Sequence, residues 1–197
     1  MSAFYLDILK DRLYTFKSDS PERRAAQWVL YNIADSLIKL IAPILSFTAE
    51  EAWQHLPFKK TESVFLDRMP EIEESFIDEE LQLKWEKLIE IRDEVNKALE
   101  IKRQEKFIGN SLEAKVILSV NPELKKFLSP YYDFLPTLFI VSQVKLSDLE
   151  SKDTEFTVTI DKAEGQKCQR CWNYSPMVGK LEIPDLCPRC YHVIKSL

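Results

Sequence analysis

Glycine is scarce in this chain: its 197 residues hold three, Gly109, Gly165 and Gly179, where average usage gives about 14. No two lie closer than 14 positions. A G-x-G-x-x-G turn and a G-x-x-x-x-G-K loop are therefore absent, and nucleotide binding by those routes is excluded. Histidine is scarcer, with only His55 and His192. A lone histidine has no partner for general-base work, and the serines have no histidine nearby. No catalytic residue is assigned. His55, just before Pro57, reads as a surface or capping residue. No apolar run approaches the ~18 residues of a membrane span. Asp7, Lys10 and Asp11 interrupt the first apolar segment, which is unlike a secretory signal. The expectation is a cytoplasmic chain with no membrane partner.

What is present is a globular composition, 45% apolar and 30% charged, with 27 Lys+Arg against 32 Asp+Glu. Residues 58–80 alone carry +3 and −8, which accounts for the whole net charge of −5. Residues 161–197 carry +6 and −4. Coulomb steering depends on patches rather than totals, so an RNA partner is compatible with the acidic sum.

The first 57 residues read as helical. Phe4, Ile8, Leu9, Leu13 and Phe16 recur at helical spacing. Ser20-Pro21-Glu22 opens a second helix, with a hydroxyl for orphan N–H groups, a proline in the first turn and an acid for the dipole. Its apolar stripe is expected at Ala26, Val29/Leu30, Ile33, Leu37 and Leu40/Ile41, and Pro43 ends or kinks it. Thr48-Ala-Glu-Glu51 has the form of a capping box opening a third helix around Trp53. The acidic stretch 58–77 reads as a connection that wraps rather than packs. A long helix follows from Asp78 to about Lys106, with Leu81, Trp85, Leu88, Val95 and Leu99 on one face. Arg92 falls on that face, where a structural pairing with an acid is expected. Beyond Gly109, Ala114–Val120, Leu138–Leu146 and Glu155–Ile160 are strand-like, with a broken helix over Pro122–Leu135. The fold class is mainly α: a partial helical bundle over 1–106, a small α+β junction unit over 107–161 and a cysteine-bearing tail over 162–197.

All four cysteines lie in that tail, as Cys168-Gln-Arg-Cys171 and, after fifteen residues, Cys187-Pro-Arg-Cys190. Two C-x2-C knuckles supply a tetrahedral set of thiolates, which suits one Zn²⁺. Iron uses the same ligands, and two disulfides would need an oxidising compartment. Four thiolates close the coordination sphere, so the metal is structural. Gly179 and Pro184 offer turns for a hairpin in the spacer. His192 is a spare candidate ligand that four cysteines make unnecessary. Around the knuckles, Lys167, Arg170, Lys180, Arg189 and Lys195 interleave with Trp172, Tyr174 and Tyr191. Cations with flat rings suit single-stranded RNA. The same rings could equally serve to cover the metal.

Several segments are familiar. Ser2-Ala-Phe-Tyr-Leu-Asp-Ile-Leu-Lys-Asp-Arg-Leu-Tyr14, Arg24-Ala-Ala and Ala42-Pro-Ile-Leu-Ser-Phe-Thr-Ala-Glu-Glu-Ala-Trp53 resemble the anticodon-binding helical domain of class I isoleucyl-tRNA synthetases. Ile91-Arg92 through Lys106 and Ile108-Gly-Asn-Ser-Leu-Glu-Ala114 are similar to the family's long helix and the junction after it. Cys168-Gln-Arg-Cys-Trp172 and Leu186-Cys-Pro-Arg-Cys190 resemble the zinc-binding tail of the bacterial-type enzymes. Valyl and leucyl relatives share the helical part without the tail. The family's His-Ile-Gly-His-type and Lys-Met-Ser-Lys-Ser-type signatures are absent, as is an editing domain.

The resemblance implies a C-terminal piece, inactive alone, with ATP used only by the missing catalytic domain. Its expected partners are the anticodon stem-loop of isoleucine tRNA and the missing N-terminal domains. Phosphate contacts are expected from Lys10, Arg12, Arg23, Arg24, Arg170 and Arg189, and base stacking from Trp172. Zinc modules of DNA-repair glycosylases also resemble the tail. A duplex-DNA binder and a purely architectural module are thus the alternatives. A monomer is expected, with dimerisation through an apolar face of the truncated bundle as the other outcome.

Overall fold

The computed structural model describes residues 2–58, 61–149 and 154–196; Lys59 and Lys60 of the acidic connection lie outside it. The chain forms two compact units, one from residues 17–79 and the other from residues 1–16 with 80–197.

In the smaller unit, α2 (Pro21–Ile41) starts as its sequence dictates. Ser20 Oγ accepts from the Arg23 amide at 3.2 Å, with Pro21 at the first position. The buried face differs from the expected stripe. Ala26 is buried as expected, but Leu37 and Leu40 are about half exposed, and Ile38 and Lys39, off that stripe, are buried. A lysine can occupy that face because its ammonium lies 2.8 Å from Asp35 and 3.6 Å from Asp67, over the Trp53 ring. Burial opposes the Lys39 charge, but the two acids outweigh it and raise its pKa.

Helix α3 (Ser46–His55) begins two residues before Thr48, so the capping-box reading is corrected. The chain leaves α2 through a tight turn closed by Leu45 N to Ile41 O at 2.8 Å and re-enters helix at once. Glu50 instead reaches the following loop: its Oε2 accepts from Ser63 Oγ at 2.8 Å and from the Val64 amide at 3.1 Å. Among the described residues of the acidic connection only Val64 is buried, and the rest lies largely exposed, as expected of a segment that wraps. Val64 is buried with Trp53 and Ile38, and Trp53 Nε1 donates to Thr61 O at 3.0 Å. His55 Nδ1 lies 2.9 Å from Glu51 O at the exposed helix end, a capping position.

The larger unit is built on a three-stranded sheet in the order β2-β1-β3. Here β1 is Ala114–Val120, β2 is Gln143–Asp148 and β3 is Phe156–Lys162. β1 pairs parallel with β2, Val116 opposite Val144, and antiparallel with β3, Val116 opposite Ile160. Alternation along β1 buries Ala114, Val116, Leu118 and Val120 on one face. Against them pack Leu88, Ile91, Val95 and Leu99 of α4 (Glu79–Gln104), with Leu124 and Leu128 of α5 (Pro122–Leu128). Leu81 is exposed, and α4 joins this core only from Trp85 onward.

Arg92 is buried there, but among the described residues it pairs with no acid. Its Nε donates to Leu138 O at 3.0 Å and its guanidinium lies 5.1 Å from the Phe4 ring centre. A carbonyl and a ring replace the expected carboxylate. The strand expected from Leu138 is also corrected. Leu138 and Phe139 end α6 (Leu135–Phe139), Ile140 turns through φ 55°, and β2 starts only at Gln143. Helix α1 (Asp7–Thr15) belongs to this unit, following a π-helical turn over Ser2–Leu6. Among the described residues, no helix is long and apolar enough to cross a membrane.

Candidate metal centre and nucleic-acid interface

The first knuckle is framed by a short hairpin, β4 (Gln166–Lys167) paired with β5 (Tyr174–Ser175). Gly165 has φ +90°, and a Cβ there would meet the Ser175 carbonyl carbon at 2.2 Å. One of only three glycines is thus placed where a side chain cannot fit. Cys168 N donates to Asn173 O and Trp172 N to Cys168 O, both at 2.9 Å. Trp172 closes that turn in the left-handed region at φ 65°. In the second knuckle, Cys187 caps α7 (Pro188–Lys195), and its amide donates to Cys168 Sγ at 3.3 Å. The spacer forms no hairpin of its own. It loops back through Gly179 N to Pro184 O at 2.7 Å, using both expected turn residues.

The four sulfurs lie within 4.8 Å of one another, with Cys171 Sγ and Cys187 Sγ 3.7 Å apart. A tetrahedron with Zn–S near 2.3 Å has an S···S edge of about 3.8 Å, so the donor set fits the ion. No disulfide joins them. Hydrogen bonds from Cys187 and Cys190 hold the Cys171 thiol well below its ordinary pKa, and the same contacts push Cys187 and Cys190 up. Val178, Leu186, Ile183 and Tyr191 pack around the cysteines as a small separate core. His192 is exposed on α7 and takes no part in the cluster.

The positively charged candidates fall in different settings. Lys10 is exposed and 2.6 Å from Asp7, while Arg12 lies over the Phe134 ring. Arg24 is exposed and donates to Gln27 at 3.1 Å; Arg23 is half-buried, its Nε without a hydrogen-bond partner among the described residues. Arg170 and Arg189 turn onto α1, where Arg170 donates to Thr15 O and Arg189 pairs with Asp11. Burial opposes the Arg189 charge, but Asp11 more than compensates and raises its pKa. Trp172 is 59% exposed, with Lys167 Nζ 5.0 Å from its ring centre.

Sequence reasoning missed the cleft these pieces form. A cavity of about 950 Å³ runs between α1, the segment from Pro136 to Gln143, and the first knuckle from Arg170 to Pro176. Tyr14, 78% exposed, and Trp172 both contribute to its lining. The sequence signalled only its knuckle side, through Trp172 and Tyr174 among the cations, and nothing local marked α1 as the facing wall.

The four cysteines form a donor set for one metal ion beside a cleft lined by Tyr14 and Trp172. The profile of the family described as "Anticodon-binding domain of tRNA ligase" matches residues 1–118, and that of a "Zinc finger found in FPG and IleRS" matches residues 165–193. The chain belongs to the anticodon-binding domain family of tRNA ligases, and its cluster of four cysteines is a structural zinc site.

Among curated proteins, it is 52% identical over 203 residues to an isoleucine–tRNA ligase of Carboxydothermus hydrogenoformans, and 47% over 209 residues to one of Natranaerobius thermophilus. A third, from Caldicellulosiruptor bescii, is 51% identical over 200 residues. Each match covers 100% of this chain and 22% of the relative, so the chain spans about a fifth of the length of these enzymes.

Proposed function

We propose that this chain is the C-terminal part of an isoleucine–tRNA ligase, acting in the cytoplasm, and that it holds the anticodon stem-loop of isoleucine tRNA. The reading rests on one observation above the others. Residues 1–16 and 80–118 of the segment matching an anticodon-binding domain share one compact unit with the segment matching a zinc finger, and a cleft lined by Tyr14 and Trp172 lies within that unit. Activation of isoleucine with ATP and transfer to the tRNA belong to parts of the enzyme outside these residues. In this chain the task is binding.

Zinc, when bound, closes the two knuckles with four thiolates and leaves no position for substrate. The chain's own residues do the rest. Lys10 and Arg12 on α1, and Arg23 and Arg24 on α2, supply cations for phosphate oxygens, whereas Arg170 and Arg189, also expected to meet phosphates, are engaged by Thr15 and Asp11. Such contacts set register without reading sequence. Trp172, exposed beside the cleft, offers a face for an unstacked base, and Lys167 above it adds charge nearby.

The test is binding of the zinc-loaded chain to isoleucine tRNA at physiological salt, with a non-cognate tRNA and a duplex DNA alongside. Preference for isoleucine tRNA, lost on zinc removal, is the expected result. Equal binding to all three would place discrimination elsewhere in the enzyme. Trp172→Ala should weaken binding by about 1–3 kcal/mol, the usual worth of one stacked base. Unchanged affinity would remove the stacking role.

A further inference from the structure

The two knuckles share one pattern, Cys-x-Arg-Cys, and both arginines reach the same last turn of α1. Arg170 Nη1 donates to the Thr15 carbonyl, one of the helix-end acceptors without an intrahelical donor, and lies 3.6 Å from Cys190 Sγ. Arg189 grips Asp11 with both Nη atoms, Nη2 to Oδ1 at 2.7 Å, and Nη2 also lies 3.2 Å from Thr15 Oγ1. Thr15 Oγ1 is in turn 2.7 Å from Asp11 Oδ1 and 2.8 Å from Asp11 O, and Thr15 is buried. The Arg189 guanidinium also stands 5.0 Å from the Phe16 ring centre. These contacts cross more than 150 positions of sequence. All four polar residues line the cleft that also holds Trp172.

We propose that Asp11, Arg170 and Arg189 are positioning residues that lock the zinc knuckles onto α1 and thereby fix the width of the cleft for RNA. The proposal concerns these residues' own contacts and rests on the RNA-binding reading for its consequence. A phosphate could recruit Arg189 only by displacing Asp11, which would leave a half-buried carboxylate with the Thr15 hydroxyl but without its cation. Arg170 ties a zinc ligand directly to the end of α1. Cys168, Cys171, Cys187 and Cys190 would hold the metal on the same two knuckles that carry both arginines, so the metal would stiffen the backbone from which Arg170 and Arg189 reach α1.

A simple sign separates this from a phosphate-binding role. Asp11→Asn removes a negative charge and frees Arg189. If Arg189 served phosphate, the variant would bind RNA as tightly as the parent or more so. A positioning role requires the opposite. The zinc-loaded Asp11→Asn chain should bind isoleucine tRNA about tenfold more weakly, with one zinc per chain retained and the salt slope unchanged. Hydrogen exchange should speed up around Thr15 and Trp172 but not along β1. Arg189→Lys should behave alike, because an ammonium cannot take both carboxylate oxygens.

Equal or tighter binding by Asp11→Asn with unaltered exchange would overturn the proposal, as would an Arg189→Gln variant whose only change is a salt slope lower by about one. If the parent chain binds no tRNA, the functional reading fails, and the exchange pattern alone decides the lock. Should Asp11→Asn fail to fold, Asp11→Glu, which keeps the charge but moves it by one methylene, must still raise exchange at Thr15; unchanged exchange would overturn the lock.

Discussion

Gly165 and Gly179 share φ +90°, yet they should respond differently to a methyl group. At Gly165 the added Cβ would collide with the Ser175 backbone at 2.2 Å, whereas at Gly179 its nearest neighbour is the Gln166 side chain at 3.8 Å. Gly165→Ala must therefore open the β4–β5 hairpin and should cost about 2–4 kcal/mol, read as weaker zinc retention in a chelator competition. Gly179→Ala should cost about 1 kcal/mol, the strain of the left-handed backbone alone. Equal effects would mean that backbone conformation, not the close approach to Ser175, decides. The scarcity of glycine was visible in the sequence; which glycine is sterically required was not, because the obstacle lies ten residues away in another strand.

Helix α4 shows what a periodic pattern can and cannot disclose. Leu88, Val95 and Leu99 were legible as its inner face, and Arg92 stood out as a charge on that face. Its partner was illegible, since Leu138 O lies 46 positions away and a backbone carbonyl leaves no mark in composition. Arg92→Ala should destabilise the larger unit by about 3 kcal/mol, through a cavity and an unpaired carbonyl. Arg92→Met, which keeps most of the volume, should cost about 1 kcal/mol, the worth of the hydrogen bond. Urea denaturation of the two zinc-loaded variants measures the difference, and identical losses would show that charge rather than packing matters. Lys39 on α2 carries the same lesson. Its burial depends on Asp35 and on Asp67 of a later loop, a meeting the apolar stripe of α2 could not announce.

The two cores of the larger unit differ in what sustains them. The sheet core draws on α4, α5 and three strands, whereas the core around the cysteines is a handful of side chains held by the knuckles. Chelation of zinc should therefore unfold residues 166–195 while the β1 amides keep their protection from exchange. Structural zinc sites supply folding free energy directly, on the order of 10 kcal/mol, far beyond what so small a core provides. Loss of protection along β1 in step with the tail would show that the two cores fold as one.

Local rules determined much of this protein by themselves. The proline-led start of α2, the alternation of β1 and β3 and the paired C-x2-C knuckles each arise from neighbours within a few residues, where backbone geometry and ligand spacing decide the outcome. The start of α3, the depth of Lys39, the acceptor for Arg92 and the cleft between α1 and the first knuckle were decided only by tertiary packing. Each depends on a group distant in sequence that satisfies a buried charge or an orphan carbonyl, and such pairings cost nothing to write into a sequence and leave no period to read.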